Sequence, residues 1–190
     1  MTAIDICNMA LSALGHERRI SALDATSKEA SLCALWHAAA RQSVLGAAFW
    51  PGLARVTPEQ DGEPEGAYWR YPAPACGRAL RLEASAPDGS PADIVASDRG
   101  SLLLDTPRAR FRFVADTEDP DLWPHRVREA VAAELAALIA YALTGQRTVA
   151  ADARASAGAA LSRARAEALN LTRRHGEPNR YADARLEGAS

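Results

Sequence analysis

The chain has 190 residues, of which 48% are apolar and 24% charged, enough for one core-forming domain with an insertion and too apolar for a chain disordered throughout. A net charge of −2 supplies no chain-wide basic field for nucleic acid or an acidic membrane. Cys7, Cys33 and Cys76 are odd in number and far apart, with no CxxC, so buried thiols are expected rather than a disulfide framework or a zinc ribbon. All basic residues except Lys28 are arginine, a coding bias that also suits interface ion pairs. The N-terminus lacks a basic region followed by an apolar run, and no stretch approaches the roughly 18 apolar residues of a membrane span. Synthesis in the cytoplasm is the expectation.

The first segment reads as a helix. Ile4, Cys7, Leu11 and Leu14 recur at helical spacing, and Gly15 stops it. A link with Arg18, Arg19 and Ile20 follows. Thr26 and Glu29 have the spacing of a capping box and predict a second helix running to about Ala48. Leu32, Trp36 and Ala39 line one of its faces, and Cys33, Ala40 and Val44 widen the stripe, which predicts contact on two sides. Phe49-Trp50-Pro51-Gly52 ends it, since proline disfavours helix at the residue before it.

Residues Thr57 to Gly66 are acidic and rich in Pro and Gly, and read as an exposed link. Strand-type sequence follows. Tyr68 to Tyr71 is an aromatic strand, and Leu80, Leu82 and Ala84 alternate with Arg81 and Glu83. Pro87 to Ser90 and Asp98 to Gly100 are turns, the second flanked by Ile94-Val95 and Leu102 to Leu104. Phe111 and Phe113 alternate with Arg110 and Arg112. Four or five short strands in a small antiparallel meander are predicted.

Asp121 reads as the N-cap of a third helix with Pro124 in its first turn. Val127, Val131, Leu135, Leu138 and Ala142 trace its buried face, and Gly145 follows its last turn. A fourth, alanine-rich helix spans about Thr148 to Arg174, with Leu161 and Leu169 among its arginines. Gly158 weakens it and marks a point of close packing. Gly176 and Pro178 close it. The expected fold is therefore α+β: mainly an α-helical bundle of about four helices with a small antiparallel β insertion. Residues 1–56 and 116–176 form the bundle, 57–115 the linker and insertion, and 177–190 an extended C-terminal arm.

Little in the chain carries catalytic chemistry. Cys33 and His37 are four apart on one helix and offer half a metal site, but no second pair of ligands is evident, and a packed thiol is the plainer reading. His16, His125 and His175 fall near helix ends, where histidine commonly caps or is solvated. Glu29, Glu129 and Glu134 are the acids a glycosidase reading would use, yet Glu129 and Glu134 are five apart and share no face. No nucleophile elbow, P-loop or dinucleotide fingerprint is present, so no catalytic residue, metal or cofactor is assigned. Arg108, Arg110 and Arg112 beside Phe111 and Phe113 suggest a single-strand-binding surface, but alternation puts the Phe pair and the Arg set on opposite faces of the strand. The arginines of the fourth helix (Arg154, Arg163, Arg165, Arg173, Arg174) read as a solvated or subunit-facing stripe.

Several local motifs occur in the order of a known family. Cys7-Asn8-Met9-Ala10-Leu11-Ser12-Ala13-Leu14-Gly15 is followed by Arg19-Ile20-Ser21-Ala22-Leu23-Asp24. Glu29-Ala30-Ser31-Leu32-Cys33 and Arg41 come next, then Phe49-Trp50-Pro51-Gly52-Leu53-Ala54-Arg55 and Tyr68-Trp69-Arg70-Tyr71-Pro72. Leu102-Leu103-Leu104-Asp105, Phe113-Val114-Ala115-Asp116-Thr117, Trp123-Pro124 and Leu143-Thr144-Gly145 complete the series. Over about residues 4 to 146 this resembles the head-to-tail adaptors of tailed phages, the tail tubular protein A-like group with relatives in prophages and gene transfer agents. Ala73-Pro74-Ala75-Cys76-Gly77-Arg78 departs from the family's Leu-Pro-x-Asp-Cys-Leu-Arg.

The resemblance implies a structural virion protein. Such adaptors form a ring, usually of twelve copies, between the portal of a DNA-filled capsid and the neck or tail, and extend the DNA channel. Its implied partners are sister copies, the portal, the next neck or tail protein and loosely passing DNA, with no membrane. The portal-binding arm would include Glu177, Pro178, Asn179, Arg180, Tyr181, Ala182, Asp183, Ala184, Arg185 and Leu186. The implied location is the particle neck, after assembly in the bacterial cytoplasm. Two alternatives are a peptidoglycan-degrading virion-associated enzyme and a small DNA-binding protein.

Overall fold

The computed structural model describes residues 1–98 and 100–176. The protein is α+β, with two shorter N-terminal helices, two long C-terminal ones, and an antiparallel β region inserted between the pairs. Helix α1 (Ala3–Ala13) opens with a capping box. The Thr2 hydroxyl accepts from Asp5 N, and the Asp5 carboxylate accepts from Thr2 N at 2.7 Å, which satisfies two backbone donors that a helix start leaves orphaned.

The capping box expected at Thr26 and Glu29 does not form. Ser27 caps α2 (Lys28–Leu45), its hydroxyl accepting from Ala30 N at 3.1 Å. Glu29 turns instead to His16, 2.8 Å away. Helix α2 stops at Leu45, short of Ala48, because Trp50 folds back and its indole N–H donates to the carbonyls of Val44 and Leu45 at 3.1 and 3.0 Å. These are last-turn carbonyls beyond the reach of the helix's own ladder, and that of Val44 also accepts from Ala47 N at 3.1 Å. The buried face of α2 is also not the first one expected. Ala30, Cys33, His37, Ala40, Arg41, Val44 and Leu45 are buried, whereas Leu32 is half-buried and Trp36 and Ala39 are exposed. Two apolar stripes compete on this helix. The one with the smaller residues faces α1 and α3, where backbones approach closely.

Helix α3 (His125–Thr144) begins after Pro124, not at Asp121. Asp119 caps a separate 3₁₀ turn over Pro120–Leu122, accepting from Asp121 N at 2.9 Å. Trp123 then runs extended ahead of the proline, as residues before proline prefer, and its buried indole donates to Thr117 O at 3.0 Å. Val127, Val131 and Leu135 are buried as expected, but Leu138 is only half-buried and Ala142 is exposed. The buried stripe runs instead through Ala132, Ala136, Ile139 and Ala140. Gly145, at φ 71°, ends the helix in the left-handed conformation that glycine adopts without strain.

Helix α4 (Arg147–Gly176) buries a narrow line of small residues: Ala150, Ala157, Ala160, Ala164 and Ala168. Gly158 faces open space, so it does not mark close packing. Helix α3 is the centre of the bundle and packs against each of the other three, while α2 and α4 hardly meet. The apolar core gathers Ile6 and Leu11 of α1, Val44 of α2, Val131 and Leu135 of α3 and Ala160, Ala164 and Ala168 of α4, together with Trp50, Trp123 and Val114.

The β region is larger than a meander of four or five strands. Among the described residues nine short strands form two sheets. Strands β1 (Ala54–Val56) and β2 (Gln60–Asp61) both pair with β9 (Arg108–Ala115), and β5 (Ala79–Ser85) lies between β9 and β6 (Pro91–Ala92). The second sheet runs β3 (Glu63–Glu65), β4 (Tyr68–Pro72), β8 (Ser101–Leu104), β7 (Ile94–Ser97). The expected exposed link at Thr57 to Gly66 thus contains β2 and β3. Gly62 between them allows close approach, since a Cβ there would lie 2.7 Å from Trp69 Cβ.

Both expected turns form. Asp88 Oδ1 accepts from Ser90 N at 2.9 Å, and Asp98 Oδ1 accepts from Gly100 N and Ser101 N at 2.8 and 2.7 Å. A second small core of Tyr71, Ala84, Leu102, Leu104, Ala109 and Phe111 lies in this region. Tyr71 meets Phe111 edge-on with centroids 5.4 Å apart, a favoured aromatic geometry.

Candidate assembly surfaces

The residues assigned to the arm (Glu177, Pro178, Asn179, Arg180, Tyr181, Ala182, Asp183, Ala184, Arg185 and Leu186) lie outside the described residues. The described part instead presents two helix faces. The outer face of α2 exposes Leu35 at 69% and carries Trp36, Ala34, Ala38 and Ala39 beside it. The outer face of α4 exposes Leu169 at 62%, with Ala151, Ala155, Ala159 and Ala166 among Arg154, Arg163 and Arg165. Because α2 and α4 pack on α3 without packing on each other, these faces look out from separate sides of the bundle. Tyr141 of α3, 53% exposed, adds a third apolar group.

The signal for the α2 face was present in the sequence. Leu32, Trp36 and Ala39 and the stripe of Cys33, Ala40 and Val44 are both apolar, so one of them had to remain outside. Leu35 and Tyr141 carry no such signal, since Leu35 belongs to neither stripe and Tyr141 sits singly between Ala140 and Ala142.

The helix-exit motif around Trp50 is the second notable place. Pro51 and Gly52 follow the capping indole, and Gly52 takes φ 83°. The turn lies beside the C-terminal part of α4, where Arg165 donates to Ala47 O at 3.0 Å. Arg41, on the inner face of α2, forms a two-pronged pair with Asp116 at 2.8 and 3.0 Å, and Gln42 adds a third bond to the same carboxylate. This ties the end of β9 to the helices. The buried Arg41 is expensive to desolvate but is paired and hydrogen-bonded, which is the condition for tolerating such a charge.

The candidate half metal site has a different arrangement. Cys33 and Cys7 are both buried free thiols, and their mutual hydrogen bond together with burial pushes the Cys7 thiol up. His37 is buried next to Arg41, and burial first, then that positive charge, lowers its pKa. Among the described residues no group of three metal-ligating side chains forms.

The three acids considered for a glycosidase have separate partners. Glu29 bonds His16, Glu129 pairs with Arg126 at 2.8 Å and His125 at 3.1 Å, and Glu134 accepts from Ser43 at 3.4 Å. The hydrogen bond from His16, and then the helix-start backbone N–H, hold the Glu29 carboxyl at about 2.

On β9, Arg108 pairs with Glu59 at 2.8 Å and Asp61 at 2.9 Å, and Arg110 pairs with Glu59 at 3.2 Å. Phe111 points into the β core and Phe113 is half-buried, so the Arg and Phe sets face apart as alternation requires. Among the described residues no helix is long and apolar enough to cross a membrane. Comparison of the chain with protein-family models and with curated proteins finds no match.

Proposed function

We infer that this chain is a head-to-tail adaptor: a structural subunit that assembles into a ring between a portal and the neck or tail of a phage-like particle. The ordered motifs from Cys7 to Gly145 motivate the family. The observation that carries the assembly reading is the pair of apolar faces on α2 and α4, placed on separate sides of α3. A subunit with two different sticky faces associates head to tail, and such contacts close into a ring when the rotation per subunit allows it. A self-complementary dimer would need only one face. The β9 arginines support the same reading over a nucleic-acid role, since Arg108 and Arg110 are engaged by carboxylates of their own chain.

In this reading the arm from Glu177 to Leu186 reaches the portal, and ordering on contact offsets its entropic cost. The test is to mix the purified chain with portal rings and examine the mixture by negative-stain imaging and light scattering. A ring of added density under the portal is expected. It should be lost when residues 177–190 are removed, and also in Leu35→Glu, which leaves the fold intact because Leu35 is exposed. No added density with the full chain, or unchanged binding by the truncated one, rejects the assignment.

A further inference from the structure

A cleft of roughly 490 Å³ runs between the last turns of α4 and the exit of α2, lined by Phe49, Trp50, Pro51, Arg112, Leu171 and Thr172 among others. It combines apolar and cationic character. The guanidinium groups of Arg81 and Arg112 both lie over the Phe49 ring, 4.7 and 4.4 Å from its centroid. Glu83 stands opposite Arg112 in the β5–β9 register, yet its ion pair is with Arg81, at 3.4 Å. No carboxylate among the described residues pairs with Arg112. An aromatic and aliphatic trough with an unneutralised cation suits a short extended segment that carries both an apolar side chain and a carboxylate.

The chain supplies such a segment at the mouth of the cleft. Residues 177–190 follow directly from Gly176, the last residue of α4, which is four positions past the Thr172 that lines the cleft, or about 6 Å along the helix. They carry Tyr181 and Leu186 as apolar groups and Glu177, Asp183 and Glu187 as acids. From Gly176 to Tyr181 an extended chain covers up to about 17 Å, enough to turn back to the cleft. A tether this short gives an effective concentration on the order of millimolar, so a weak contact suffices.

We propose that residues 177–190 seat in this cleft of their own subunit, Tyr181 against the apolar wall and Asp183 toward Arg112. The seat itself does not depend on what the segment finally binds. If the segment is the portal-binding arm, as inferred above, the portal must lift it out before it can engage it.

The test uses the full chain without portal, so its failure is separate from a failure of portal binding. Trypsin cleaves after Arg185, and when opening is fast its rate follows the fraction of time the segment is undocked. Cleavage at Arg185 is followed in the natural chain, in Arg112→Glu and in Tyr181→Ser, with circular dichroism melts to confirm that each is folded. The expected result is cutting about tenfold faster in both variants, with protection of the natural chain unchanged on roughly tenfold dilution. Equal rates in all three overturn the proposal. Protection that falls on dilution also overturns it, because the segment then sits on a second copy. Should Arg112→Glu fail to fold, Tyr181→Ser decides alone.

Discussion

Around Leu135, side chains from four helices meet in a continuous apolar core, and the buried residues of α4 are alanines. Around Phe111, six buried residues form a much smaller core, and charged pairs lie along the strands outside it: Arg108 and Arg110 with Glu59 and Asp61, and Arg70 with Glu65. The first region is stabilised by burial, which salt affects little. The second leans partly on exposed pairs, each of small worth and weakened by salt. Stability in this protein is therefore concentrated in the helices, while the β region holds its shape through turns, register and a few central rings.

The sharpest way to break that contrast is Leu135→Asp. A charge placed unpaired in the helical core should cost about 4 kcal/mol or more and unfold the whole chain. An unchanged thermal melt would remove Leu135 from the core. Phe111→Ala comes next. Losing the central ring of the small core should cost about 3–5 kcal/mol, with near-ultraviolet signals from the β region melting well before the helical signal. If both signals shift together, the two cores act as one cooperative unit and the contrast drawn above fails.

Acid should act on the helical side through Glu29. Its folded-state carboxyl, at about 2, lies below the ordinary 4.5. Its contribution is therefore complete above pH 4.5 and is lost as pH falls toward 2. In a series of melts across that window, Glu29→Gln should show a shallower loss of stability than the natural chain. Parallel curves would mean that the His16 contact contributes nothing. The smallest effect expected is that of Arg108→Ala, below about 1 kcal/mol, and it should shrink further in high salt. A salt-independent loss of several kcal/mol would show that the β region leans on this one arginine far more than exposed pairs allow.

The α+β class and the four helices were legible because their apolar periods are long and their stops, such as Gly145, are unambiguous. Helix starts were less so. Thr26 and Ser27 are both good caps one residue apart, and only His16, distant in sequence, shows why Glu29 leaves the capping role. Asp119 and Asp121 posed the same ambiguity, and the need to bury Trp123 decides it. The strands β2 and β3 were hidden because two or three polar residues beside proline give no alternation, and their pairing partners lie in β4 and β9. For the candidate surfaces, the apolar character of α2 was visible but its direction was not. A helix with two apolar stripes does not disclose which one its neighbours take. The cleft beside Trp50 depends on α4 coming home from more than a hundred residues away, which no local pattern encodes.

The lengths of the last two helices have a mechanical consequence. With 20 residues in α3 and 30 in α4, the rods measure about 30 and 45 Å, which leaves roughly 15 Å of α4 running past the start of α3, where it leans on the exit of α2 at Trp50 and Pro51. Below that projection the shared seam is smooth, because methyl groups interlock only weakly. Any load hung on the end of α4 is therefore resisted by the Arg126–Glu167 pair, by the Arg165 bond to Ala47 and by the burial of Ala168 in the helical core.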